Sequence, residues 1–235
     1  MKKALTLPEM IILLGVIGII AIMLLTNLMK NHQKKVFALR LNQAYSTLNN
    51  AIKMAEAEEN ILTSMSKDDY INSSLSENDQ NGLFAEYFLP YMNNVTKLTT
   101  TWKTYTPAGK NADFASMKNP YCANNAICYK LIQSAGYNQD TDETFLDYTY
   151  IIIDVNGQTG PNKVGCDTYY FNLKIDSQGP KIECIPHGIS ASITIDELYK
   201  LGCNKTNSDW TNGNTCSEIV KRNNWKIPKD SRYPW

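Results

Sequence analysis

The sequence predicts an α+β fold in which one long N-terminal helix, its first half transmembrane, packs against an antiparallel β-sheet head with disulfides. Three observations predict it. Met10 to Leu28 is apolar apart from Gly15, Gly18, Thr26 and Asn27, and apolar residues then recur at helical spacing to Ala55. Between Tyr148 and Pro186, three runs rich in β-branched and aromatic residues alternate with turn signals. Six cysteines, at 122, 128, 166, 184, 203 and 216, all lie beyond the apolar segment.

The apolar run comes first. About 20 apolar residues suffice to span a bilayer as a helix. Lys2 and Lys3 precede the run and would stay in the cytoplasm. A cleaved secretory signal fits poorly, because the run is long and Thr26-Asn27-Leu28-Met29-Lys30 offers no small-x-small cleavage site. Glu9 stands at the mouth of the run. A carboxylate there is costly and needs a partner or a function. A plain anchor leaves it unexplained.

Beyond Lys30, Phe37, Leu41, Tyr45, Leu48, Ile52 and Ala55 recur in steps of three and four, with Ala44 and Ala51 beside them. That is one helical face. Lys34, Lys35, Arg40, Asn42, Asn49, Asn50 and Lys53 occupy the others, and Asn60 is the expected stop. A helix from Leu5 to about Glu59 would be some 80 Å long at 1.5 Å per residue. Such a length suits a shaft whose first half packs with other chains and whose second half lays its apolar stripe on its own head.

In the head, Ser74 to Asn81 reads as a loop, Leu83 to Leu89 as a short helix ended by Pro90, and Pro107 to Lys110 as a turn. Tyr148–Val155, Cys166–Ile175 and Lys181–Pro186 read as three strands of a meander, the first ended by Asn156-Gly157. Ser217 to Asn223 reads as a short helix. Trp210, Trp225 and Trp235 either pack on the head or present a surface to another subunit.

An even cysteine count confined to the exported part implies disulfides in an oxidising compartment. Six cysteines allow fifteen pairings, and sequence selects none. Proximity favours Cys122–Cys128 and Cys203–Cys216, which leaves Cys166–Cys184. Zinc is the rival, but His32 and His187 do not sit at finger spacings and no C-x-x-C occurs.

Lys2-Lys3-Ala4-Leu5-Thr6-Leu7-Pro8-Glu9 followed by an apolar helix resembles the start of a type IV prepilin or a type II secretion pseudopilin. The resemblance is tight over residues 2–25 and weak beyond. It implies a leader, 1–4, cut off between Ala4 and Leu5 by a prepilin peptidase. It implies an N-methylated Leu5, an assembly and transmembrane helix over 5–60, and a globular head over 61–235. Ala4 and Leu5 depart from the family's usual Gly and Phe. The freed amine of Leu5 would meet the Glu9 carboxylate of a neighbouring subunit in an apolar setting, where an unpaired charge costs several kcal/mol.

The function so implied is a structural subunit that assembles into a type IV pilus or a secretion pseudopilus. The alternatives are a minor tip pilin whose head binds a surface, substrate or DNA, and a membrane-anchored domain that never assembles. The implied partners are copies of itself or other pilins, the peptidase, an inner-membrane assembly platform, and membrane lipid before assembly. The implied location is the bacterial inner membrane with the head periplasmic, then a fibre.

The loop from Asp154 through Asn156-Gly157 and Gly160-Pro161-Asn162 to Asp167 resembles a segment found in many prepilin-like proteins. Its alternating oxygen donors invite calcium, at Asp154, Asn156 and Asp167. Asx-Gly turns tied by side-chain-to-backbone hydrogen bonds are the alternative. The EF-hand pattern is not met.

The remaining function classes have little support. His187 lies in a Pro-His-Gly turn, and no nucleophile-elbow or phosphate-loop motif accompanies it, so no catalytic constellation is expected. Residues 61–235 hold sixteen basic and nineteen acidic residues. A faintly acidic head is a poor non-specific nucleic-acid binder, since such binding depends on neutralising phosphates.

Overall fold

The computed structural model describes residues 6–58, 84–85, 88–138, 143–176, 179–186, 189–206 and 213–235. Ala4, Leu5, the 74–81 loop, His187 and Trp210 lie outside them. The chain divides into two compact units, 1–36 and 37–235.

Helix α1 (Leu7–Ala57) runs unbroken for 51 residues through both units. Gly15 and Gly18 do not interrupt it. In the first unit every residue from Leu7 to His32 is exposed, and the segment is long and apolar enough to cross a membrane. In the second unit the helix buries Phe37, Ala38, Leu41, Ala44, Leu48, Ala51, Ile52 and Ala55. That is the stripe expected from the three-and-four spacing, with Ala38 added and Tyr45 at its rim.

The stripe rests on a six-stranded antiparallel sheet of order β1-β4-β5-β6-β7-β8. Its strands are β1 (Val95–Lys97), β4 (Tyr121–Ala123), β5 (Cys128–Asn138), β6 (Glu143–Asp154), β7 (Thr168–Asp176) and β8 (Gly179–Glu183). The expected meander is β6-β7-β8. The long β5 escaped the sequence reading, and a register shift between Ser134 and Ala135 interrupts its ladder with β6. Tyr45 packs on Phe171 at 5.7 Å and on Trp225 at 5.0 Å, and Phe37 packs on Trp235 at 5.6 Å. Arg40 donates to the carbonyl of Val155 at 3.2 Å. Trp225 and Trp235 therefore pack within the unit.

The other face of the sheet is also covered. A two-stranded ribbon, β2 (Thr101–Trp102) and β3 (Met117–Lys118), lies over it with the 3-10 turn Asp113–Ala115. Trp102, Ala115 and Met117 join Ile132, Tyr150, Ile152, Val164 and Tyr170 in one buried cluster, and Phe114 stacks on Tyr170 at 5.9 Å. Cover on both faces explains why β6 reads as an unbroken Tyr-Ile-Ile-Ile run rather than an alternation. Ile151 and Ile153 pair with Phe171 and Tyr169 on the helix face, and Ile152 pairs with Tyr170 on the ribbon face.

Two short helices close the unit, α2 (Ile195–Leu201) and α3 (Cys216–Arg222). Thr194 and Glu197 form a full capping box on α2: Glu197 N–H donates to the Thr194 hydroxyl at 3.3 Å, and Thr194 N–H donates to the Glu197 carboxylate at 2.8 Å.

Candidate functional site

The first candidate site is the start of α1. Leu7 opens the helix, so Thr6 stands at the N-cap and Glu9 at the third helical position. The Thr6 backbone N–H and hydroxyl both donate to one Glu9 oxygen, at 2.8 and 2.7 Å. Thr-x-x-Glu before an apolar run is the signature of a capping box. This local role was legible in Thr6-Leu7-Pro8-Glu9 and was missed. Pro8 fits the first turn, where its absent N–H would have had no helical partner. Behind the cap, Met10, Ile11, Ile12, Leu13, Leu14, Val16 and Ile17 are all exposed. Seven large apolar side chains in two turns form a surface that water does not favour. Lipid or other apolar helices would cover it.

The second candidate is the 154–167 loop. Asp154 and Asp167 are wholly buried, and Asn156 is 7 % exposed. Asp154 accepts from Trp102 Nε1 at 3.0 Å and from the Asn156 backbone N–H at 3.0 Å. Asp167 accepts from the backbone N–H groups of Asn162 and Lys163, at 2.7 and 2.6 Å. Asn156 Nδ2 donates to the carbonyls of Thr159 and Gly160. The structure thus brings the three expected residues together as turn hydrogen bonds. Among the described residues no three His, Cys, Asp or Glu side chains group as metal ligands.

Burial pushes both carboxyl groups above their ordinary range. For Asp154 the neighbouring Asp167 charge adds to the effect. Asp167 is pushed up to about 6, its backbone hydrogen bonds only partly offsetting desolvation. Trp102 was not singled out from sequence. Thr-Trp-Lys-Thr-Tyr-Thr over 101–106 does not alternate in polarity, and its two aromatics fall on opposite faces, so no local pattern marks Trp102 as inward-facing.

The cysteines divide. Cys122 is bonded to Cys128, and Cys203 to Cys216. The third expected pairing, Cys166–Cys184, does not form, and both residues are buried thiols. Asn172 pairs with Glu183, which places Cys184 level with Phe171, while Cys166 precedes β7 by two residues. Phe171 stands three strand residues beyond Thr168, about 10 Å at ~3.3 Å per residue, which exceeds the ~7 Å Cα reach of a disulfide. The Cys166 thiol instead donates to the Pro234 carbonyl at 3.4 Å. Burial raises the Cys184 thiol far above its ordinary range, which keeps it unreactive.

Comparison with known families gives one match. Residues 27–235 fit DUF6613, a family of unknown function. No curated protein and no solved structure matches the chain.

Proposed function

We propose that this chain, which belongs to the DUF6613 family of unknown function, is a pilin-like structural subunit. On this reading it is cut between Ala4 and Leu5, methylated on Leu5, and assembled through residues 5–28 into a pilus or secretion pseudopilus. The family match begins at residue 27. The proposal therefore rests on the segment before it. The observation that carries it is a carboxylate, Glu9, at the head of a fully exposed apolar helical surface. In a fibre that surface would be covered by neighbouring helices, and the Glu9 charge would need a cation. The new amine of Leu5 supplies one. A register error would leave both charges unpaired, at a cost of several kcal/mol.

A second reading is favoured by the cap itself. Hydrogen bonds from Thr6 give Glu9 a role in starting the helix, which even a non-assembling membrane anchor would use. N-terminal mass spectrometry on protein from its native host separates the two. The assembling subunit begins at N-methylated Leu5. An intact Met1 terminus would rule assembly out and leave the anchor.

A further inference from the structure

The ribbon over the sheet carries a charge pattern that the whole-head count conceals. Exposure alternates strictly from Thr101 to Thr106: Trp102, Thr104 and Thr106 are buried, while Thr101, Lys103 and Tyr105 face out. Lys118 lies directly opposite Thr101. Tyr105 is bridged to Asn111 on one side and to Lys163 on the other. Lys110, exposed, closes the turn whose carbonyl receives the Thr106 N–H at 2.7 Å. Lys163 therefore stands opposite Tyr105, which is 39 % exposed, Lys103 lies two positions before it on the same outward side, and Lys110 lies on the adjoining turn.

Little neutralises them. Asp113 is the only carboxylate in residues 95–120, and it accepts from Asn111 Nδ2 at 2.6 Å. Lys103, Lys110 and Lys163 make no ion pair among the described residues. The backing is firm, since Trp102 is anchored to Asp154 behind the row. Successive outward positions on a strand lie about 7 Å apart, inside the ~10 Å screening length at 0.1 M salt, so the lysines act as one field. The rest of residues 61–235 is correspondingly more acidic.

We propose that this face binds single-stranded nucleic acid, the lysines pairing with phosphates and Tyr105 stacking on a base. The exposed ring amid the cations favours this over a sulfated or carboxylated polysaccharide, because every base offers a π-face to the ring, whereas a sugar offers only its C–H face. The net charge of the head excludes general stickiness toward nucleic acid but not one basic face. The inference does not depend on whether the chain assembles.

The test is fluorescence anisotropy of the full chain in detergent micelles with a labelled oligothymidylate. Affinity should fall with salt at a log–log slope of about −2, for roughly three phosphate contacts on a single strand. Changing Lys103→Gln, Lys110→Gln and Lys163→Gln together should weaken binding about tenfold or more and flatten the slope. Tyr105→Ser should weaken it about fivefold or more with the slope unchanged. All four side chains reach the surface, and far-ultraviolet circular dichroism verifies that each variant is folded. Absence of binding at low salt, or full binding by the triple lysine variant, would overturn the proposal. So would duplex DNA binding better than the single strand. Unchanged binding by Tyr105→Ser with equal competition by heparin would reassign the face to anionic polysaccharide.

Discussion

The two capped helices, α1 and α2, begin in the same way and continue differently. At Thr6–Glu9 and at Thr194–Glu197, the threonine N–H and hydroxyl reach one glutamate oxygen at 2.8 and 2.7 Å. Glu197 heads a seven-residue helix that buries Leu198 and Tyr199 in its own unit. Glu9 heads an apolar segment with no burial inside the chain. The bonds onto the carboxylates are alike, the reciprocal bond from the Glu197 N–H to the Thr194 hydroxyl being the difference, so they do not explain the contrast between the two glutamates. What distinguishes them is the surface that follows, which is folded away in one case and offered outward in the other.

The largest expected contrast lies along α1 itself. Leu48→Ala removes a fully buried side chain and should cost about 2–5 kcal/mol, seen as a fall in the thermal midpoint of the full chain in detergent. Leu13→Ala, on the exposed half, should leave that midpoint unchanged. An equal fall for both would mean that the first half is packed inside the protein. Gly165→Ala comes next. Its φ is +80°, and an added Cβ would lie 2.7 Å from Cys216 Sγ, so a loss of about 1–3 kcal/mol is expected by the same melting measurement. A neutral result would show that α3 gives way easily.

The caps themselves predict a smaller effect. Thr194→Ala should cost about 1 kcal/mol of head stability, while Thr6→Ala should cost the head nothing and fray only the start of α1. Amide exchange at residues 7–10 and 195–198 reads the two separately. Equal loss of head stability would contradict the division into two units.

The smallest effect concerns pH. Asp167, raised to about 6 by burial, holds a proton more tightly folded than unfolded. Its contribution is therefore fully present below the unfolded value near 4 and is lost as pH rises through about 6. Asp154 shifts in the same direction. The melting midpoint should drop less between about pH 5 and about pH 7.5 in Asp167→Asn than in the unaltered chain. An identical drop would show that Asp167 does not carry the dependence.

Much of this was legible in the sequence where one residue type had one environment. The Phe37–Ala55 stripe was readable because three-and-four spacing has few alternatives to a helix against a core. The strands of the β6-β7-β8 meander were readable from β-branched runs. β5 was not, because Cys-Tyr-Lys-Leu-Ile-Gln-Ser mixes a buried lysine into an apolar strand. Lys130 is buried and donates to the Ser116 carbonyl at 2.9 Å, a contact across layers that no local pattern announces. Proximity gave the two short disulfides, whose loops are small, but elimination failed for Cys166 and Cys184, because register rather than count decides reach. At the sites, Glu9 stood out by its cost and its cap was overlooked. At the 154–167 loop the residues were right, and the turn geometry they serve depends on Trp102, about fifty residues away.

The central claim is that Glu9 acts through its charge and not only through its cap. Glutamine at this position can still accept the Thr6 hydrogen bonds, since the capping box takes Glu or Gln alike. The decisive measurement is the yield of sheared fibres from the native host carrying Glu9→Gln, beside Glu197→Gln as the matched control. Charge pairing at Glu9 predicts a loss of about tenfold or more for Glu9→Gln, with the protein still present in the membrane, and no loss for Glu197→Gln. Fibres from Glu9→Gln at the level of the unaltered chain would contradict it, leaving Glu9 as a helix cap and nothing more.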